Sequence, residues 1–303
     1  MPLARNALTN AKHAGGIFRL IESRNRGMIM KRNIRIIFLT AVTLLTFSFP
    51  SCRSPLSNHI ITGNGKSKTL ETALHDGTYQ VHIKNILFKN NQNNSIRINE
   101  AKRNAVILST DENIAETLHI TVDQANKEIN IAGNKRVLYN KANLSITIGV
   151  PVNAITIDGG YDIDFDTGSV SSFRMTINGA CTGKVKIGSI SNFNLMINGA
   201  SNIDLIGNCK NSNITVNGAS NIHAFNLLSR TCNIQVNGAT TCNIFVSEEL
   251  KARINGLGTI IYNGNPKTVD QKVAGMGVIK KGSAENGTQE DIDDVENDST
   301  AFQ

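Results

Sequence analysis

The chain has 303 residues, is 40% hydrophobic and only 5% aromatic with no tryptophan, and carries a formal net charge of +7. That charge is unevenly held: residues 1–51 contain eight Lys/Arg and one acid, residues 283–303 contain seven acids and no base, and the body between them contains 23 bases and 16 acids. The bases of the body are dispersed, with no Lys/Arg run and little aromatic interleaving, which argues against a nucleic-acid-binding face.

Residues 1–27 precede better starts at Met28 and Met30 and read as a misassigned start or a disordered extension. Residues 28–52 read as a signal peptide. Lys31, Arg32 and Arg35 form a basic n-region, and Ile36 to Phe49 is an uncharged apolar run too short for a stable membrane span. The run ends in Pro50-Ser51-Cys52. A small residue before cysteine at this place resembles a bacterial lipoprotein signal, so Cys52 is expected to be lipidated and to tie the protein to the membrane. The localisation this implies is the cell envelope, as an outer-membrane lipoprotein, with the surface and periplasmic faces both open. The other reading is ordinary secretion with cleavage nearby.

Residues 60–282 are expected to form a single all-β domain. In residues 60–150, Tyr79/Val81/Ile83, Ile96/Ile98, Val106/Leu108, Leu118/Ile120/Val122, Ile129/Ile131 and Leu144/Ile146/Ile148 alternate with polar residues. A period of two bounded by Asn, Gly, Asp and Lys predicts strands with one buried face.

From residue 155 to 262 the sequence repeats every 18–20 residues. Apolar-x-apolar-Asn-Gly-Ala copies end at Ala180, Ala200, Ala219 and Ala239, and weaker copies end at Gly160 and Leu257. A fixed period of this length predicts stacked supersecondary units. One position before each Asn stand Ile157, Ile177, Ile197, Val216, Val236 and Ile254; seven after stand Phe165, Val185, Leu205, Ala224, Ile244 and Tyr262. Each copy thus reads as two short strands joined by an Asn-Gly-Ala corner. Copies stacked about 4.8 Å apart would make these columns continuous inside a tube. The fold expected is a right-handed parallel β-helix with coils of about 18–20 residues; an antiparallel barrel or sandwich is the alternative, because Asn-Gly also favours hairpin turns. Asn178, Asn198, Asn217, Asn237 and Asn255 fall in register at the corners and are expected to form a structural ladder of amides.

The outward columns hold the candidate sites. Asp162, Asp164 and Asp166 alternate on one strand and project from one face, a candidate cation or ligand site, or the acid set of a polysaccharide-cleaving enzyme. Lys184 and Lys186 on the next coil are placed to neutralise them. Ile206, Phe225 and Phe245 occupy the column eight after the Asn and are expected to form an apolar strip for a partner or a second copy, or for the N-terminal strands to cover. Besides Cys52 there are Cys181, Cys209, Cys232 and Cys242. No two share a column in neighbouring coils, so free buried thiols are expected rather than disulfides. No Cys/His spacing suits zinc, no phosphate loop or nucleophile elbow is present, and no metal or cofactor is implied. Residues 283–303 lack apolar periodicity and are expected to be a disordered acidic tail.

Several segments carry a family resemblance: Ala105-Val-Ile-Leu-Ser-Thr-Asp-Glu-Asn-Ile114, Ile146-Thr-Ile-Gly-Val-Pro151, the Asn-Gly-Ala-Ser-Asn-Ile copies beginning at Asn198 and Asn217, and the closing Ile254-Asn-Gly-Leu-Gly-Thr-Ile-Ile-Tyr-Asn-Gly-Asn-Pro266. Over roughly Gly65 to Lys281 the chain resembles the putative auto-transporter adhesin, head GIN domain family of Bacteroidetes envelope proteins. The resemblance implies a β-helical envelope domain with an adhesive role, and it supplies no catalytic residue. The function expected is a non-enzymatic envelope lipoprotein presenting a binding surface to a glycan, matrix or envelope partner. The alternatives are a periplasmic structural or signalling protein that assembles, as a homo-oligomer, through its apolar strip, and a polysaccharide-active enzyme using the three aspartates.

Overall fold

The computed structural model describes residues 59–89, 94–98, 103–168 and 170–282. The N-terminal extension, the signal-like run with Cys52, and the acidic segment 283–303 lie outside the described residues. The first part contains β1 (His59–Thr62), β2 (Ser67–Ala73), β3 (Tyr79–Lys84), β4 (Leu87–Phe88), β5 (Ser95–Ile98), β6 (Ala105–Asp111), a one-turn helix α1 (Glu112–Ala115), β7 (His119–Asp123), β8 (Glu128–Ala132), β9 (Val137–Asn140) and β10 (Ser145–Ile148). The second contains β11 (Val152–Asp166), β12 (Ser172–Gly199), β13 (Asn202–Gly218), β14 (Asn221–Gly238), β15 (Thr241–Gly256), β16 (Thr259–Asn263), β17 (Thr268–Gly275) and β18 (Val278–Lys281).

The second part is a parallel β-solenoid. β11 pairs in parallel with β12, β12 with β13, β13 with β14, and β14 with β15; β15 then pairs in parallel with both β16 and β17, and β16 with β18. Pairing is parallel throughout this stack, so the barrel or sandwich alternative does not describe it. One expectation needs correction: a coil is not two short strands broken at Asn-Gly. Each later coil is instead one long extended segment that closes on the corner, as in β14, whose 18 residues end on Asn237-Gly238, and in β12 the extended chain runs on through Asn178-Gly179. The ladder survives because the residue after each glycine donates its N–H to the glycine carbonyl one coil earlier: Ala200 to Gly179 at 3.1 Å, Ala219 to Gly199 at 3.1 Å, Ala239 to Gly218 at 3.0 Å.

Side-chain ladders reinforce the corner. The Asn178 amide donates to Asp158 (2.7 Å), Asn198 to Asn178 (2.8 Å), Asn217 to Asn198, Asn237 to Asn217 and Asn255 to Asn237 (each 2.7 Å). Along the column each amide donates one way and accepts the other, as stacked Asn side chains require. A second ladder lies just inside. The hydroxyls of Ser201, Ser220 and Thr240 accept the N–H groups of Cys181 (3.1 Å), Ser201 (3.0 Å) and Ser220 (3.2 Å). All three hydroxyl residues are buried, so they satisfy donors that the corner turns away from water. Asn217→Ala removes two ladder bonds from a half-buried position. We expect a loss of about 1–2 kcal/mol, read as a lower urea midpoint with an unchanged slope.

The columns Ile155/Met175/Leu195/Ile214/Ile234/Ala252 and Ile157/Ile177/Ile197/Val216/Val236/Ile254 are buried along their length, and Phe173 and Phe193 stack beside them at 6.3 Å. In the first part, β3 and β5 both run parallel to β11 and form the rung on which the stack begins. Beyond it, pairing turns antiparallel in β10–β6, β2–β6 and β7–β8. This closes the end of the tube with short alternating strands, a recognised way to manage an edge. β1, β9 and β4 form a separate three-stranded parallel sheet. The strands expected from alternation are present. The helical turn α1 is unforeseen: four residues are too few to show a period, although Ile114 and Ala115 are buried.

Tyr161 is buried against Phe88, and among the described residues its hydroxyl has no hydrogen-bond partner. Burial pushes its phenol far above the ordinary tyrosine value. Because an unpaired buried hydroxyl costs stability, Tyr161→Phe should leave the melting temperature unchanged or raise it by the equivalent of about 1 kcal/mol; a clear fall would mean that the hydroxyl has a partner.

Candidate binding surface

The coil length varies, and the solenoid absorbs the variation in one sector. Successive ladder asparagines are separated by 20, 19, 20 and 18 residues, yet the Asn-Gly corners stay in register. The slack appears after Asp204. Asp204 to Gly207 in β13 faces His223 to Leu227 in β14, one residue longer. Between β14 and β15 the slip is greater: Ala224 pairs with Ile244 and Leu228 with Phe245, so Phe225, Asn226 and Leu227 have no partner in β15. Such bulges bend a strand and re-aim its side chains.

A groove of about 410 Å³ opens beside these slips. Ile190, Cys209, Leu228 and Phe245 give it an apolar lining, and Ser189, Asn208, Lys210, Ser229, Arg230 and Ser247 supply polar groups. Leu228 is 47% exposed, an unusual place for a large apolar residue in a coil whose alternate side chains point inward. Arg230 is held away from other work by Glu248, to which its Nε (2.9 Å) and Nη2 (2.6 Å) both donate. Among the described residues Lys210 has no ion-pair partner.

The bulges also determine where the apolar strip goes. Ile206, Phe225 and Phe245 are all half-buried. Ile206 pairs with Lys186, Phe225 falls in the unpaired bulge, and Phe245 pairs with Leu228. The three therefore do not stack in one column, and only Phe245 reaches the groove. A fixed offset from each Asn assumes coils of equal shape; the bulge breaks that assumption. Leu228 escapes the column count for the same reason, although Leu227-Leu228 breaks the alternation and is the visible signal.

Asp162, Asp164 and Asp166 are exposed on the outer face of β11. Arg97 lies 3.6 Å from Asp162 and Lys186 3.9 Å from Asp166, while Asp164 is in register with Arg97 on one side and Lys184 on the other. The repeat pattern points to the two lysines; Arg97 comes from a strand 65 residues earlier and is unforeseen. Among the described residues no group of three or more His, Cys, Asp or Glu side chains is arranged to hold a metal ion.

Cys181, Cys209, Cys232 and Cys242 are free and buried. Burial pushes Cys181 up to about 11 and Cys232 up to about 12, and raises Cys209 and Cys242 as well. Cys209 meets the hydroxyl of Ser229 at 3.2 Å. These groups are neutral thiols near neutral pH and poor nucleophiles. Their folded values lie above the unfolded value of about 8.5. Their contribution to stability is thus complete below that pH and is lost as pH rises through about 11 and 12. We expect a melting temperature that is flat from about pH 7 to 8.5 and falls steadily above about pH 9, and thiols that titrate with an aromatic disulfide reagent only after denaturation. Rapid reaction in the native state would contradict the burial.

The fold and the groove together define a class: a parallel β-solenoid whose distinguishing surface is a partly apolar groove at a bulge. Residues 88–266 match the family described as "Putative auto-transporter adhesin, head GIN domain", and the chain belongs to that family. Solved structures that share the fold include the following three. One, a putative adhesin from Bacteroides fragilis, is 19% identical with a TM-score of 0.59, over 73% of this chain and 99% of that one. A putative lipid binding protein from Parabacteroides distasonis is 18% identical with a TM-score of 0.51, over 74% of this chain and all of that one. A putative adhesin from the same organism is 16% identical with a TM-score of 0.50, over 74% of this chain and all of that one. Among curated proteins the chain has no match.

Proposed function

We propose that the protein is a non-enzymatic component of the cell envelope, held to the outer membrane by a lipid on Cys52, and that its solenoid binds an acidic glycan in the groove beside the β13–β15 bulges. The observation that carries this reading is the restriction of irregularity to one sector. Corners bonded coil to coil are rigid, and the slipped sector opens a cleft with an apolar floor. Phe245 and Leu228 offer a surface to the apolar face of a sugar ring. Ser189, Asn208 and Ser247 supply hydrogen bonds at the rim, and Lys210 supplies a positive charge. A mostly apolar cleft with a few placed polar groups is the usual composition of a ligand site. Membership of an adhesin-like family supports the same reading.

The aspartate trio receives no catalytic role, because each carboxylate sits on an exposed outer face beside a cation. The anchor is tested by metabolic labelling with a palmitate analogue. Label on the wild type and none on Cys52→Ser, with release of that variant from the membrane fraction, is the expected result. Equal membrane association of both forms would refute the anchor.

A further inference from the structure

The two ends of the solenoid are finished differently. At the β2/β7 end, antiparallel strands close the tube. At the other end, β17 pairs only with β15 and β18 only with β16, so among the described residues each has one unpaired edge. The interior columns simply stop there. Val269 follows Leu250, Gln271 follows Ala252 and Val273 follows Ile254, all in register. Leu250, Ala252 and Ile254 are fully buried, whereas Val269 is 39% and Val273 40% exposed. An apolar, hydrogen-bonding edge of this kind is a template for another strand, and solenoids need their terminal coils covered.

The edge is complementary to itself. The strand reads Thr268-Val269-Asp270-Gln271-Lys272-Val273-Ala274. Laid antiparallel against a second copy and centred on Gln271, it places Val269 opposite Val273 twice, Gln271 opposite Gln271, and Asp270 opposite Lys272 twice. The valines and Gln271 share the face that continues the core, and both charge pairs fall on the outer face. Opposite charges and paired apolar side chains directly across an antiparallel ladder are stabilising. The arrangement is a two-fold, isologous contact, the commonest kind in homodimers. Asp270 also accepts from Arg253 of its own chain, which holds the carboxylate in place at the edge.

We infer that two copies of this chain dimerise end to end through β17, antiparallel and centred on Gln271, joining two solenoids into one continuous core. The occupant of the edge is thus a second copy, and none of the β17 residues lines the groove assigned to the glycan.

The test is cross-linking of the full-length chain in the cells that produce it. Gln271→Cys places one thiol opposite its symmetry mate. Mild oxidation should give a dimer-sized, reductant-sensitive band at least about tenfold stronger than Lys184→Cys, an exposed control on a different coil. Lys272→Asp, added to Gln271→Cys, sets a carboxylate against Asp270 of the other copy twice and should lower the dimer about tenfold. It leaves the monomer intact, since position 272 faces Arg253 in register. Adding Asp270→Lys as well restores the complementary charges and should restore the dimer. Equal bands from Gln271→Cys and Lys184→Cys would overturn the proposal. So would a band that appears only when residues 283–303 are removed, which would give the edge to the chain's own C-terminal segment, and so would a cross-link to a protein of different mass.

Discussion

Gly218→Ala should prevent the solenoid from forming in its native register, or cost more than about 3 kcal/mol if it folds at all. Gly218 has a φ of +143°, a conformation that a residue with a Cβ rarely adopts. The clash is worse than the strain. A Cβ built there lies 2.1 Å from the carbonyl oxygen of Gly199 and 3.0 Å from its carbonyl carbon. Those atoms belong to the backbone of the preceding coil, and that oxygen accepts the Ala219 N–H. The coils must separate or that bond must break, and the Asn198–Asn217 and Asn217–Asn237 bonds beside it would go too. Ala219, next in the chain, is exposed, so Ala219→Ser is the matched control. Soluble yield and the urea midpoint by far-ultraviolet circular dichroism check the pair. A Gly218→Ala protein within about 1 kcal/mol of wild type would mean that the corners are not stacked as described.

The second large effect is Phe193→Ala, expected to cost about 3–5 kcal/mol. Phe193 is fully buried and stacks on Phe173 of the preceding coil with their planes 10° apart. Truncation leaves a void flanked by backbone that hydrogen bonds hold at fixed spacing, so the coils cannot collapse to fill it. Damage in a solenoid also falls on both neighbouring interfaces, because stability is approximately a sum over adjacent units. Phe193→Leu keeps most of the volume and should cost under about 1.5 kcal/mol. Equal losses for the two substitutions would show that the aromatic stack, rather than the filled volume, matters.

The regular part of the fold was legible because parallel stacking writes itself into sequence as columns. Asn-Gly needs the same corner in every coil, and an inward apolar position in one coil is inward in the next. The β3, β5, β6, β8 and β10 strands were legible from alternation alone. Their partners were not: β3 and β5 lie against β11, which is contiguous with neither, and nothing local encodes a contact so distant in the chain. The buried Ser201–Ser220–Thr240 ladder was hidden because Ser and Thr read as ordinary turn residues; only the structure shows that their hydroxyls meet backbone donors. The groove was half legible. Phe245 stood out, but Leu228, Lys210 and Cys209 entered only once the bulge moved β14 out of register. The open edge at β17 could not be read from Val269 and Val273, which fit the interior columns and look buried until the stack is seen to end.

The most direct test of the proposed binding role is titration of the chain from Arg53 onward against a panel of acidic and neutral glycans, followed by isothermal calorimetry, with Leu228→Asp and Lys210→Glu measured beside the wild type. The account predicts saturable binding to an acidic glycan, loss of most affinity in Leu228→Asp, and reversed charge preference or lost binding in Lys210→Glu, with unchanged melting temperatures. Absence of binding to every glycan, or binding that both variants retain in full, would contradict it.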